Sequence, residues 1–211
     1  MLRAAMKLAD EGGLEALSMR KLAQRLGVEA MSLYNHVEGK DDIVDGMVEL
    51  VAAEMELPPE GADWKTALRV SALSAHDALM RHRWAATVWM APRPVTELRL
   101  VQSDATLRAL REGGFSEDIA YHAFHVLTSH VLGFTLYLQS FRFDAAELEQ
   151  LAVTFLREFD AERYPYLAEH IRQHAEPSEA RRGTFEFGLE LVLEGLGRLR
   201  YSSMTGETTT P

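Results

Sequence analysis

The chain has 211 residues, 47% of them hydrophobic, no cysteine and a formal net charge of −10. That size suits one compact helical unit or a small head on a larger body, and the missing thiols exclude a disulfide framework and any cysteine–zinc site. No apolar run approaches the roughly 18 residues of a membrane span, which fits a soluble chain of a reducing cytoplasm.

Helical periodicity dominates and no segment alternates like a strand, so the expected fold class is all-α. Leu2, Ala5, Met6, Leu8 and Ala9 line a first helix, stopped at Gly12-Gly13. Charges interrupt its apolar residues, unlike a secretory h-region. Ser18 caps a second helix, Met19 to Leu26. Residues 18–40, SMRKLAQRLGVEAMSLYNHVEGK, then hold Ala23, Gly27 four positions on and Leu33 six beyond that. Two steeply crossing helices need a residue no larger than alanine at their contact. The reversal favours a glycine, and the second helix needs an apolar anchor facing the first. This spacing predicts a helix-turn-helix, with Ala30 to His36 as a recognition helix for a DNA major groove.

Gly39 breaks the chain, and a longer helix is expected from Lys40 to about Glu56, ended by Pro58-Pro59. The expected division is a three-helix head over 1–46, joined by helix 40–56 to a ligand-binding and dimerisation body over 47–200, then a disordered tail over 201–211. Body helices are expected at about Trp64 to Arg83, Pro94 to Glu112, Ser116 to Ser140, Asp144 to Asp160, Tyr166 to His174 and Glu179 to Arg200, with a short turn near Trp84 to Met90. Charge divides along the same line. Residues 1–40 carry six Lys/Arg and five acids, leaving 16 basic and 27 acidic residues downstream, +1 against −11. Screening over about 8 Å lets a near-neutral head approach DNA beside an acidic body, with modest non-specific affinity.

Segments 119–138 and 184–199 are apolar or small nearly all round. Such helices are buried on every side, either in a thick internal core or against a partner subunit. The second reading predicts a homodimer joined by a four-helix interface that includes Phe124, Leu127, Val131, Phe187, Leu191, Leu193 and Leu196. Gly188, Gly195 and Gly197 would permit close helix approach. A two-fold dimer also places two heads over a pseudo-palindrome, about 34–36 Å apart.

Segment 14–51 resembles the head of the TetR family of bacterial repressors, with "LGV" at the turn followed by Leu33, Tyr34, His36, Val37 and Lys40. The body resembles the tetracycline-repressor group at His82-Arg83, Arg93-Pro94, Gly114-Phe115-Ser116 and Phe185 to Leu191. The resemblance implies an all-helical homodimer whose operator affinity falls when a small molecule enters the body. It also implies that Ser18 and Arg20 hold phosphates, with Tyr34, His36 and Lys40 holding the backbone from the other side. Ala30, Met31, Ser32 and Asn35 would face base edges. The chemistry agrees: cations and hydroxyls position on phosphate, while Asn35 can pair with adenine and Ala30 or Met31 can touch a thymine methyl.

Two departures from the family pattern stand out. The chain begins almost inside its first helix, so no arm contact with DNA is expected. Tetracycline-binding members chelate a magnesium–drug complex through a histidine ahead of the Arg-Pro turn. Trp89 stands there in this chain, and their acidic ligand is replaced near Tyr137. Neither tetracycline nor a magnesium-dependent pocket is expected, and no cofactor.

Trp84, Trp89, Met90, His76, Met80, Leu107, Phe134 and Tyr137 are candidates to line an apolar cavity for a flat aromatic ligand, against the alternative of ordinary core packing. His122, His125 and His130 do not share a helix face, so they read as buried interface histidines rather than a metal site. Ser18 and Lys21 match a serine acyl-enzyme spacing without its partner motifs, and no other catalytic signature is present, so an enzyme is not expected. The rival is a dimeric DNA-binding regulator without a small-molecule inducer, gated by a protein partner or constitutive.

Overall fold

The computed structural model describes residues 1–92, 94–140, 145–175 and 183–205. Arg93 of the Arg-Pro motif and tail residues 206–211 lie outside the described residues. Helix α1, Leu2–Gly12, forms where apolar residues recur at helical spacing, and it buries Ala5, Met6, Leu8 and Ala9. A 3-10 turn at Leu14–Ala16 leads to α2, Met19–Leu26, where Ser18 Oγ accepts the Lys21 N–H at 3.3 Å. Helix α2 ends at Gly27 in the left-handed region, φ 68 and ψ 31. There the Val28 N–H returns to the Ala23 carbonyl at 3.0 Å, a closure that disfavours a residue with a Cβ.

The recognition element is shorter than expected. Helix α3 is Ala30–Leu33 alone, and Tyr34 to His36 continue as a turn. No side chain caps its start, and the Ser32 hydroxyl bonds back to the Glu29 carbonyl at 2.7 Å, a local alternative to helix extension. Helix α4, Lys40–Ala52, also stops short of Glu56. Past its end the chain is drawn towards the body, the Glu56 N–H donating to Ser74 Oγ at 2.9 Å.

Asp63 caps α5, Trp64–Arg81, accepting from the Lys65 and Thr66 N–H groups. The stretch expected as a turn near Trp84 to Met90 holds a short helix, α6, Ala85–Met90. Helix α7 is Glu97–Glu112, and the long α8, Glu117–Ser140, packs on α5, α7 and α11. Helices α9, Ala145–Glu158, and α10, Pro165–Ala175, pack on each other. Helix α11, Thr184–Thr205, runs five residues into the stretch expected to be a disordered tail. The described residues are all-α, with no strand and no helix long and apolar enough to cross a membrane.

One apolar core runs from Ala5 in the head to Leu196 in α11. Helix α4 joins its two ends, contributing Ile43, Val44, Met47, Val48 and Val51 while contacting α1, α5, α6 and α7. Four residues expected at a dimer interface belong to this core instead: Leu127, Val131, Leu193 and Leu196 are buried within the single chain. Their helical spacing turns them towards neighbouring helices of the same chain, which the all-round apolar pattern could not distinguish from a partner. Phe124 is half-buried, whereas Phe187 and Leu191 are 66% and 56% exposed. Of the three glycines, Gly188 admits the His130 ring, whose Cε1 lies 2.5 Å from where a Cβ would sit. Gly197 meets Trp64 at ordinary contact distance, and Gly195 faces open space.

Candidate nucleic-acid interface and ligand cavity

The helix-turn-helix separates its residues sharply by exposure. Leu22, Ala23 and Leu33 are buried at the crossing of α2 and α3, fixing their angle. Ser18, Arg20, Met31, Tyr34, Asn35, His36 and Lys40 are exposed, with Ala30 and Ser32 half-buried beside them. Met31, at 74% exposure, has no packing role in the chain. Lys40 is less available than expected: its Nζ donates to the Leu14 carbonyl at 2.9 Å, leaving two of the three ammonium donors for another partner. Arg25 is held by Glu11 through two hydrogen bonds of 2.8 and 2.5 Å, which stiffen the α1–α2 contact.

The body holds a half-open cavity of about 440 Å³. Its walls come from α5, α6, α7 and α8 and from the strap after α4. Leu68, Ser71, Ala72, Ala75 and Leu79 line it from α5; Arg99, Gln102, Ser103 and Thr106 from α7; Phe124, His125, Leu127, Thr128, Val131 and Leu132 from α8. Met55, Glu56, Leu57 and Pro58 come from the strap, with Trp89 and Val95 beside them. The α7 residues recur at i, i+3, i+4 and i+7, a polar stripe on an inward face. That is the one sequence signal that could have found this wall.

Of the eight residues expected to line such a cavity, Trp89 does. His76 is tied elsewhere, stacked on Phe185 with ring centroids 3.9 Å apart. Its Nδ1 lies 2.8 Å from Thr135 Oγ1, whose proton goes to the Val131 carbonyl, so Nδ1 donates. Burial pushes the His76 pKa down. Phe134 joins the same aromatic group, Met80 and Leu107 are half-buried outside the cavity lining, and Met90 and Tyr137 are exposed. Trp84 is buried against the head. Of the α8 histidines, His122 and His125 are exposed in the single chain and His130 is half-buried, at 3.0 Å from the Phe185 carbonyl.

A polar cluster joins head to body beside the cavity. Trp84 Nε1 donates to Asp10 Oδ1 at 2.8 Å, and His82 Nδ1 lies 2.9 Å from the same oxygen. The other His82 nitrogen lies 3.2 Å from Glu54 Oε1, just past α4, where Arg81 also donates. Trp84 and Trp89 flank the two ends of α6. One end of this short helix is tied to α1 and the other lines the cavity.

An exposed helix-turn-helix sharing one core with a cavity-bearing helical body defines a DNA-binding regulator that carries its own sensor. Residues 1–47 match the family described as bacterial regulatory proteins, tetR family, and residues 57–200 match the tetracyclin repressor-like C-terminal domain. The chain is 30% identical over 203 residues to the tetracycline repressor protein class G of Vibrio anguillarum, covering 95% of this chain and 93% of that one. With the class A tetracycline repressor from transposon 1721 of Escherichia coli it shares 31% identity over 207 residues, 95% and 90% of the two chains. The crystal structure of the Streptomyces coelicolor TetR family protein ActR in complex with actinorhodin superposes with a TM-score of 0.74 at 29% identity, covering 92% of both chains. The chain belongs to the TetR family, with a tetracycline-repressor-like body; it is a ligand-responsive, DNA-binding transcriptional repressor.

Proposed function

We propose that the protein binds a pseudo-palindromic operator as a homodimer in the cytoplasm and leaves it when a small, largely apolar aromatic molecule fills the cavity. The observation that carries this reading is the cavity's position. Its wall includes Met55, Glu56 and Leu57, which follow directly on α4, and Trp89, on the helix whose other end is bonded to Asp10 of the head. A ligand that fits only a displaced α6 shifts α4 and hence the spacing of two heads. Coupling of roughly 1–3 kcal/mol lowers operator affinity about 5- to 150-fold.

In this reading Ser18, Arg20, Tyr34, His36 and Lys40 hold the DNA backbone, and Ala30, Met31, Ser32 and Asn35 meet base edges. The dimer forms on α8 and α11 through their outward apolar residues, Tyr121, Val126, Phe187 and Leu191, all of them exposed in the single chain. Open space at Gly195 gives a partner helix room to approach. The relatives named for tetracycline differ in ligand: an indole offers no coordinating lone pair where Trp89 stands, and among the described residues no group of three His, Asp or Glu side chains is placed to hold a metal ion.

Selection of random DNA duplexes by the purified protein tests this. A palindromic consensus is expected, lost in Tyr34→Ala and relaxed at one position per half-site in Asn35→Ala. Enrichment of a single, non-repeated half-site would overturn the homodimer reading. No enrichment even at low salt would remove the operator itself.

A further inference from the structure

The cavity wall carries a guanidinium without a counterion. Arg99, half-buried on α7, lies with its Cζ 4.7 Å above the Trp89 ring, and its Nη2 donates to the Trp89 carbonyl at 3.3 Å. That bond uses one of five N–H donors. Among the described residues no carboxylate comes within ion-pair distance of Arg99. Glu49 of α4 attracts it from farther away, and Glu49 Oε1 is itself buried without a hydrogen-bond partner. Burial pushes the Arg99 pKa down, which is what an unneutralised charge in a poorly hydrated place does. Two neighbours in the α7 stripe are engaged: Gln102 Nε2 donates to the Ala52 carbonyl at 2.7 Å and Thr106 Oγ1 to the Gln102 carbonyl at 2.9 Å. Of the two acidic or basic side chains on the wall outside the histidine, Glu56 is exposed on the strap, whereas Arg99 is half-buried on α7 with most of its donors unused.

Resting on the reading of the cavity as the effector site, we propose that its ligand is an aromatic anion, with a carboxylate, sulfonate or ionised phenol held by Arg99 beside the Trp89 ring. A partly buried cation is costly until an anion supplies the missing charge, and a planar guanidinium with free donors binds such oxygens in a fixed orientation. The same geometry gives the ligand a grip on the head. An anion at Arg99 cancels the pull that Arg99 exerts on Glu49 and brings a like charge towards that buried carboxylate. Helix α4, which carries Glu49, is thereby driven away from α7.

Two fluorescent probes with one aromatic skeleton test this on the full-length protein: 8-anilino-1-naphthalenesulfonate and its uncharged parent, N-phenyl-1-naphthylamine. Binding is read by energy transfer from tryptophan, with Trp89→Phe marking the signal from this cavity. The quantity read is the ratio of anionic to neutral affinity, which removes differences in probe hydrophobicity. Arg99→Met should lower that ratio roughly ten- to a hundred-fold, the range of a charge-assisted hydrogen bond. Arg99→Lys, which keeps the charge, should lower it less. Glu49→Gln should raise it about threefold, and by less in the Arg99→Met background, a coupling that a purely structural Arg99 does not produce. A ratio unmoved within about twofold in both Arg99→Met and Glu49→Gln overturns the anion inference, while bound neutral probe leaves the cavity reading intact. If neither probe reaches Trp89, the effector-site reading falls with it.

Discussion

Head and body assign roles to residues on different length scales. In the head, residues 18–40 supply both the packing and the exposed face. Leu33 is 4% exposed, and Met31, two positions earlier, is 74% exposed. In the body, the cavity gathers residues from Met55 to Leu132 across four helices and a strap. No stretch of a few residues contains it. A surface site built on one supersecondary motif obeys local steric rules, whereas a cavity between helices depends on how distant helices meet. Yet the two regions share one core through α4, so they differ in how their sites are built without being mechanically separate.

The largest expected effect puts that shared core at risk. Leu22 in the head and Leu189 in the body are both essentially inaccessible to solvent. Truncating either to alanine should cost about 2–5 kcal/mol. If the core is continuous, Leu22→Ala should shift the unfolding of the whole chain. Urea denaturation can show this, because all three tryptophans (Trp64, Trp84, Trp89) lie in the body while far-UV circular dichroism reports every helix. Coincident shifts by both probes are expected. A tryptophan transition left in place would mean that head and body unfold as separate units.

The same contrast explains what the sequence made legible. Ala23, Gly27 and Leu33 disclosed the head because each answers a demand made within a dozen residues. The sequence does not show where α3 ends, since nothing in it weighs the Ser32–Glu29 bond against one more helical turn. In the body, an all-round apolar pattern on α8 and α11 concealed the division between Leu193, in the core, and Leu191, facing out. Periodicity gives the faces of a helix, but not which of them a neighbour in the same chain covers. Aromatic and methionine residues were the natural cavity candidates, but His76, Phe134 and Trp84 use their rings to pack or bond. The polar stripe of α7 lines the cavity, and only the apposition of α5 and α8 makes that face internal.

A smaller effect is expected where the two regions are joined. Asp10 Oδ1 is the common acceptor of Trp84 and His82, so Asp10→Asn weakens two bonds between α1 and the start of α6. The expected loss is about 1–3 kcal/mol. Hydrogen exchange should localise it: α1 amides should exchange faster, with α9 and α10 unchanged. Trp84→Phe should reproduce the direction at α1, with a further loss from the volume the smaller ring leaves in the core. Uniform acceleration throughout the chain would mean that the cluster stabilises the fold as a whole and is no specific joint.

The smallest expected effect lies at the outer edge of that joint and depends on pH. Burial acts to raise the Glu54 pKa, but the hydrogen bonds from Arg81 and His82 outweigh it and hold the carboxyl below its ordinary value. The unfolded chain therefore takes up this proton more readily than the folded one. The stabilisation is complete above the ordinary glutamate pKa, about 4.3, and is lost as pH falls through the folded value. Glu54 and Arg81 are substantially exposed, so the contribution is under about 1 kcal/mol. Arg81→Gln should cost stability at about pH 7, and the difference from the wild-type chain should shrink as pH falls towards about 4 in urea titrations. Glu11, lowered in the same direction by Arg25, is unchanged in both chains and drops out of the difference. A wild-type-to-variant difference that stays constant over this range would leave Arg81 as a packing residue. The charge linking the end of α4 to α5 would then have no part in joining head to body.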